Sequence, residues 1–293
     1  MGRRKVRSLD KEEGSMGVFM NNIKTTVLMG ALMGLFVLVG SYWGTNGMIF
    51  AFVLGGLMNI IAWFFSDKMA IAAMHGREVT RETAPELVGM VEELSRRAGL
   101  PLPRVYVCPH DAPNAFATGR SPRKAAVAVT RGLLNLMNKD QLEGVISHEL
   151  AHIKHRDTLI SCVAATLAGV LAMIAQSMFW FGAGVRGRDS GNALMGIFVI
   201  IIGAVGAALI KAAISRSREF AADAEGAAIA GSPEGLASAL LALDGYARHI
   251  PLVQPNPAQN NLFIVEPFAG GGLTNLFATH PPVEARIAAL RRL

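Results

Sequence analysis

The sequence predicts a mainly α-helical polytopic membrane protein with a small β-sheet outside the bilayer. Three observations carry that prediction. Hydrophobic residues make up 52% of the 293-residue chain and charged residues only 17%, against roughly 25% charged in an average soluble domain. No Asp, Glu, Lys or Arg occurs from Thr25 to Ser66. A second apolar pair, at about 158–182 and 192–210, is broken only by a Gly-rich linker at 184–191. The net charge of +6 comes with 7% aromatics and no basic stripe interleaved with them, which excludes nucleic acid as the partner. A membrane surface accounts better for the surplus cations. Two cysteines, Cys108 and Cys162, are too few for a disulfide framework or a four-thiolate zinc site.

In chain order, residues 1–24 form a basic cytoplasmic N-terminus with six Lys/Arg. Residues 25–65 form a transmembrane hairpin. Its turn-like break at Ser41–Gly47 leaves about 18 residues on each side, enough to cross roughly 30 Å of hydrocarbon. Trp43 and Trp63 lie near segment ends, where amphipathic rings favour the interface. Thirteen Lys/Arg follow between the second and third apolar segments and none lies in the 42–47 loop. Long segments translocate with less regard to charge, so it is chiefly the six N-terminal cations that place both termini and the 66–157 region on the cytoplasmic side.

Residues 66–157 read as mixed α/β, the first part of a soluble domain. A helix from Glu78 to Ala98 carries Leu87, Val88, Val91 and Leu94 at helical spacing. Pro101 and Pro103 end it, and Val105–Val107 is a short strand. Strands at 114–119 and 125–130 follow, joined by the basic turn Arg120–Lys124. The next helix starts at Lys139, with Asp140 as N-cap and Glu143 as its capping-box partner. The apolar pair across 158–210 is rich in Gly, Ala and Ser, which suits close helix packing and gives four spans in all. Residues 211–293 complete the soluble domain.

The chemistry lies on the helix after Lys139, which reads His148-Glu149-Leu150-Ala151-His152. Histidines four apart share a helix face, so both imidazoles reach one ion. Glu149, between them, can hold a water and take its proton. Zinc lowers the pKa of bound water to about 7 and polarises a scissile carbonyl. The pattern therefore points to one zinc ion per chain and to peptide hydrolysis, with His148 and His152 as metal ligands and Glu149 as the catalytic base. A catalytic zinc needs a third protein ligand. The extended motif would place Gly at 155 and His at 158, where this chain has His155 and Thr158. Five glutamates follow: Glu219, Glu225, Glu234, Glu266 and Glu284. Glu219 is favoured because it lies directly after the last apolar run, and the returning hairpin brings it level with His152. Asp223, one helical turn later, can accept the second N–H of a liganding histidine.

Four motifs resemble the HtpX-type membrane zinc endopeptidases, relatives of the CAAX prenyl endopeptidases. They are Asn114-Ala115-Phe116-Ala117-Thr118-Gly119, the stretch His148–Asp157, the stretch Arg218–Asp223, and Thr279–Pro282 with Glu284–Ile287. The resemblance runs from about Asn22 to the C-terminus. It implies a gluzincin-like zinc peptidase domain with His148, His152 and Glu219 on the metal and Glu149 as general base. It also implies an enzyme of the bacterial inner membrane, with catalytic domain and both termini cytoplasmic, that cuts damaged or misassembled proteins in quality control. The lipid bilayer and unfolded or membrane-protein substrates are the expected partners, and a homo-oligomer is left open. Glu225 departs from the pattern, since relatives carry a small residue there, which predicts a slight disturbance behind the ligands.

Supporting roles follow from position. Asn114, Ala115, Phe116 and Ala117 read as an exposed edge strand, to which an extended substrate could pair by strand addition. His280, before Pro281 and Pro282, cannot sit in a regular helix and is available to stabilise an oxyanion. Arg216 and Arg218 read as a solvated helix surface. Two alternatives fit the sequence less well: a CAAX-type prenyl endopeptidase, which would need more spans, and a non-catalytic zinc scaffold, which would have no use for Glu149.

Overall fold

A computed structural model of the protein describes residues 19, 22–27, 29–34, 36–38, 40–41, 44–164, 216–249 and 281–293. The third and fourth apolar segments beyond residue 164 lie outside the described residues, as does His280. One described helix, α1 (Gly44–Ala73), is long and apolar enough to cross a membrane. Up to residue 66 its buried positions are Ala51, Gly55, Asn59, Ala62 and Ser66, a stripe of small and polar residues at helical spacing, with Ile71 buried in the last turns. Phe50, Val53, Leu57 and Ile60 point outward and are more than half exposed. A soluble helix does the reverse, because apolar burial stabilises by about 25 cal/mol per Å². The small stripe faces the preceding apolar helix: Asn59 Nδ2 donates to Met29 O at 3.1 Å, and a Cβ on Gly55 would meet Met33 Sδ at 3.2 Å. The described parts of the two helices are therefore packed together along that stripe.

At 1.5 Å per residue, 30 residues extend about 45 Å, well beyond a hydrocarbon core of about 30 Å. The helix accordingly runs past the expected boundary at 66, and its last turns pack on the sheet. That sheet holds β1 (Arg77–Val79), β2 (Arg104–Cys108), β3 (Ala115–Thr118) and β4 (Ala126–Thr130) in the order β1-β2-β4-β3. The β2–β4 pair is parallel and the other two are antiparallel. Strand alternation divides the side chains. Tyr106, Cys108, Phe116, Ala126 and Ala128 meet Ile71 and Met74 at the end of α1. Val105, Ala115, Ala117, Val127 and Val129 face the main core. The sheet thus separates α1 from the helices that follow it.

Those helices are α2 (Pro85–Ala98), α3 (Arg131–Leu136), α4 (Lys139–His155), α5 (Arg216–Ala230), α6 (Glu234–His249) and α7 (Val283–Leu290). Two expected boundaries are corrected. The helix expected from Glu78 begins at Pro85, because Arg77–Val79 pairs with β2 and Pro85 occupies the first helical turn. The N-cap of α4 is Asn138, not Asp140: Asn138 Oδ1 accepts from Gln141 N, and Gln141 Oε1 accepts from Asn138 N, each at 3.0 Å. Asp140 then lies in the first turn, where a carboxylate still suits the helix dipole.

Glycine lets α4 meet its neighbours backbone to backbone. A Cβ on Gly226 would lie 2.9 Å from His148 N, and one on Gly144 only 2.4 Å from Leu236 N. The motif helix is therefore seated against both α5 and α6 at van der Waals limits.

Candidate metal centre

His148 and His152 project from one face of α4, as their spacing dictates. Their Nε2 atoms face each other 3.1 Å apart, with the rings nearly perpendicular at 88°. From α5, Glu219 reaches in, with Oε1 3.6 Å from His152 Nε2 and Oε2 3.8 Å from His148 Nε2. One donor atom from each of the three residues lies within 4.8 Å of the other two. Among the described residues this is the group able to hold a metal ion.

Each imidazole is backed at Nδ1 by a carboxylate. Asp157 Oδ2 lies 3.2 Å from His152 Nδ1. Asp223 Oδ1 lies 2.9 Å from His148 Nδ1, a close contact that lacks the straight geometry of a full hydrogen bond. A carboxylate at Nδ1 favours the tautomer whose Nε2 carries a lone pair. Two lone pairs turned toward each other at 3.1 Å, with a carboxylate beside them, repel unless a cation or proton lies between. Burial opposes charge on His152, yet Asp157, Glu219 and Glu149 together push its pKa up to about 9. The site favours positive charge, and its donor set fits a divalent cation of the zinc type.

Behind the carboxylates stand two arginines. Arg286 of α7 is fully buried and forks onto Asp223, with Nε–Oδ2 2.9 Å and NH2–Oδ1 2.7 Å. Burial pushes the Asp223 carboxyl up, but the forked bonds from Arg286 and the nearby His148 outweigh it and hold the pKa well below the carboxylate range. Arg218 places NH1 3.6 Å from Asp157 Oδ1 and is only 16% exposed. It is therefore not part of a solvated surface; it braces Asp157 inside the fold.

Glu149 is 5% exposed and its Oε2 accepts from the N–H of Ala117 on β3 at 2.7 Å. Burial raises its pKa above the usual carboxylate value, against the pull of His148 and His152. β3 ends the sheet order, but it is not exposed: Asn114, Ala115, Phe116 and Ala117 are all buried. α4 covers that edge, and the helical stretch at 157–164 pins its end through Thr158 Oγ1 donating to Gly119 O at 2.8 Å. Glu225 points away from the ligands and pairs with Lys154 at 2.5 Å, so it ties α5 to α4 rather than disturbing the site. Of the residues behind the ligands, sequence reasoning singled out Asp223 but gave no role to Asp157 or Arg286. Their signal was in the quoted motifs, where Asp157 follows His152 by five and Arg286 sits in Glu284–Ile287.

Residues 81–293 match the family described as Peptidase family M48. The chain is 48% identical over 278 residues to a protein named Protease HtpX homolog from Desulforapulum autotrophicum, covering 92% of this chain and 89% of that one. A protein of the same name from Pyrococcus furiosus is 49% identical over 275 residues, covering 92% and 95%. One from Salinibacter ruber is 48% identical over 277 residues, covering 94% and 98%. The crystal structure of S. mikatae Ste24p gives a TM-score of 0.47 at 19% identity, covering 93% of this chain and 66% of that one.

Proposed function

The chain belongs to peptidase family M48 and is a metalloprotease of the HtpX type, and on that premise we propose a zinc endopeptidase, held in the bacterial inner membrane by several spans, that cuts misfolded or damaged membrane proteins on the cytoplasmic side. The observation that carries this reading is the convergence of His148, His152 and Glu219 beside the buried carboxylate of Glu149. His148 and His152 on α4 and Glu219 on α5 hold one zinc. When bound, zinc supplies a Lewis acid that polarises the scissile carbonyl and acidifies water. Glu149, fixed by the Ala117 N–H, takes a proton from the attacking water and passes it to the leaving amine. Asp157 and Asp223 keep the two imidazoles turned toward the metal. The Asn114–Ala117 strand lies against Glu149, whose carboxylate accepts the Ala117 N–H, and this strand is the proposed guide for an extended substrate. His280 serves the oxyanion. The exposed apolar face of α1 and the charge-free run at 158–185 support membrane embedding, and the basic N-terminus supports a cytoplasmic active site.

The test is casein hydrolysis by full-length protein in detergent, before and after chelation and zinc reloading. Cleavage that a chelator abolishes and zinc restores supports the proposal. Protein with one zinc per chain that leaves casein and unfolded membrane proteins intact refutes it.

A further inference from the structure

The hairpin turn between β3 and β4 has no part in the chemistry above. It carries Arg120, Arg123 and Lys124, all exposed. No Asp or Glu occurs from Ala112 through Lys139. Elsewhere on the folded part, Arg81, Arg96, Arg97, Arg104 and Arg131 each face a carboxylate, while the exposed Arg77, Arg291 and Arg292 do not among the described residues. Among the described residues, Arg120, Arg123 and Lys124 have no such partner. Their charge is directed outward.

Position identifies what meets it. About 20 residues of α1 counted from Gly44 span the hydrocarbon core, which puts the exit near Trp63. Phe64 and Phe65 follow, then Lys68. The guanidinium of Arg120 lies 4.9 Å from the ring centre of Phe64, so the turn stands at the level of that exit. On its other side Thr118 Oγ1 lies 2.8 Å from Cys162 Sγ, inside the start of the charge-free run at 158–185. Two apolar elements therefore bracket the basic turn. The turn is also tight. Gly119 has φ +123°, and a Cβ there would lie 2.5 Å from Lys124 O.

We propose that Arg120, Arg123 and Lys124 bind anionic phospholipid headgroups and thereby dock the sheet, with the β3 edge and Glu149 behind it, onto the membrane surface. This rests on the membrane-embedded reading above. Each basic side chain near an anionic surface strengthens such docking roughly fivefold, so three together contribute about a hundredfold. The attraction is electrostatic and fails at about 1 M salt, where the Debye length is about 3 Å.

The experiment uses full-length Ser121→Cys protein in nanodiscs, with an environment-sensitive fluorophore at position 121. Labelling is selective because Cys108 and Cys162 are buried. Bilayers are phosphatidylcholine alone or phosphatidylcholine with phosphatidylglycerol. Quenching of the native tryptophans by acyl-chain nitroxides reports insertion separately. The expected result is a blue-shifted probe in the anionic bilayer, lost at high salt and lost in R120A/R123A/K124A, with tryptophan quenching equal throughout. Equal probe emission in both bilayers, with tryptophans quenched, overturns the docking proposal alone. Unquenched tryptophans overturn the membrane reading and the docking with it. A probe that responds only to an added acidic peptide assigns the turn to substrate and also overturns the proposal.

Discussion

Replacing Arg286 with methionine keeps the approximate volume of a fully buried side chain but leaves Asp223 without its guanidinium. Two charge-assisted hydrogen bonds of 2.7 and 2.9 Å are lost around a carboxylate that is 1% exposed. Removing one partner of a buried pair costs about 3–5 kcal/mol, because the remaining charge cannot be resolvated. At about 2–4 °C per kcal/mol for a folded unit of this size, the melting temperature should fall by roughly 6–20 °C. The pH dependence sharpens the test. In the wild type the folded pKa of Asp223 lies below its ordinary 3.8. Its contribution is thus complete above the unfolded value and lost only as pH falls through the depressed one. In the variant, burial dominates and raises the folded pKa above the unfolded one. A raised folded pKa adds stability as pH falls through it, so the deficit of Arg286→Met relative to wild type should shrink on acidification. The assay is thermal unfolding of chelator-stripped protein in detergent, read as wild type minus variant from about pH 8 to about pH 5. A deficit below about 1 kcal/mol, or one that does not change with pH, would refute a buried pair that braces His148.

Three further outcomes are expected. Glu149→Gln should keep fold and zinc but lower casein turnover by roughly 10²–10⁴-fold, and near-normal cleavage would remove Glu149 from the chemistry. Zinc per chain, by atomic absorption after dialysis against a mild chelator, should fall most for Glu219→Ala and by roughly 10–100-fold in affinity for Asp223→Ala. It should hardly fall for Glu225→Ala, whose partly exposed pair with Lys154 is worth about 0–1 kcal/mol; full zinc in Glu219→Ala would unseat the third ligand. Gly226→Ala would put a methyl 2.9 Å from His148 N, so it should cost about 1–3 kcal/mol and weaken zinc retention, measured by melting and by the same dialysis.

What the sequence made legible was local. The spacing of His148 and His152 fixes a shared helix face whatever the rest of the chain does. The charge-free run at 25–66 marks membrane-capable helix, of which Gly44–Ala73 is one, because hydrocarbon tolerates few charges over that length. Elements set by distant contacts were not legible. β1 is three residues long and exists through its pairing with β2, so Glu78 read as helix. The cap at Asn138 and the one imagined at Asp140 are chemically similar, and only backbone geometry separates them. β3 read as exposed because its position in the sheet order, not its composition, decides what covers it. Arg286 lies 63 positions from Asp223, and no local pattern links a surface-type residue to a buried carboxylate at that separation.

The two histidines are not held alike, and that difference follows from the helices behind them. Glu219 and Asp223 lie one turn apart on α5, so a single helix offers a ligand to the metal and a carboxylate to His148. Gly226 allows that helix to approach within contact of the His148 backbone. α7 then seals the arrangement with a forked, fully buried guanidinium. His152 has a more local brace. Asp157 comes from just beyond the end of its own helix, after Arg156 in the left-handed conformation at φ +58°. Its arginine stands 3.6 Å away rather than 2.7 Å and keeps some exposure. His148 is therefore enclosed by two further helices, α5 and α7. His152, one turn closer to the helix end, is the more exposed of the two, at 16% of its side chain against 2% for His148.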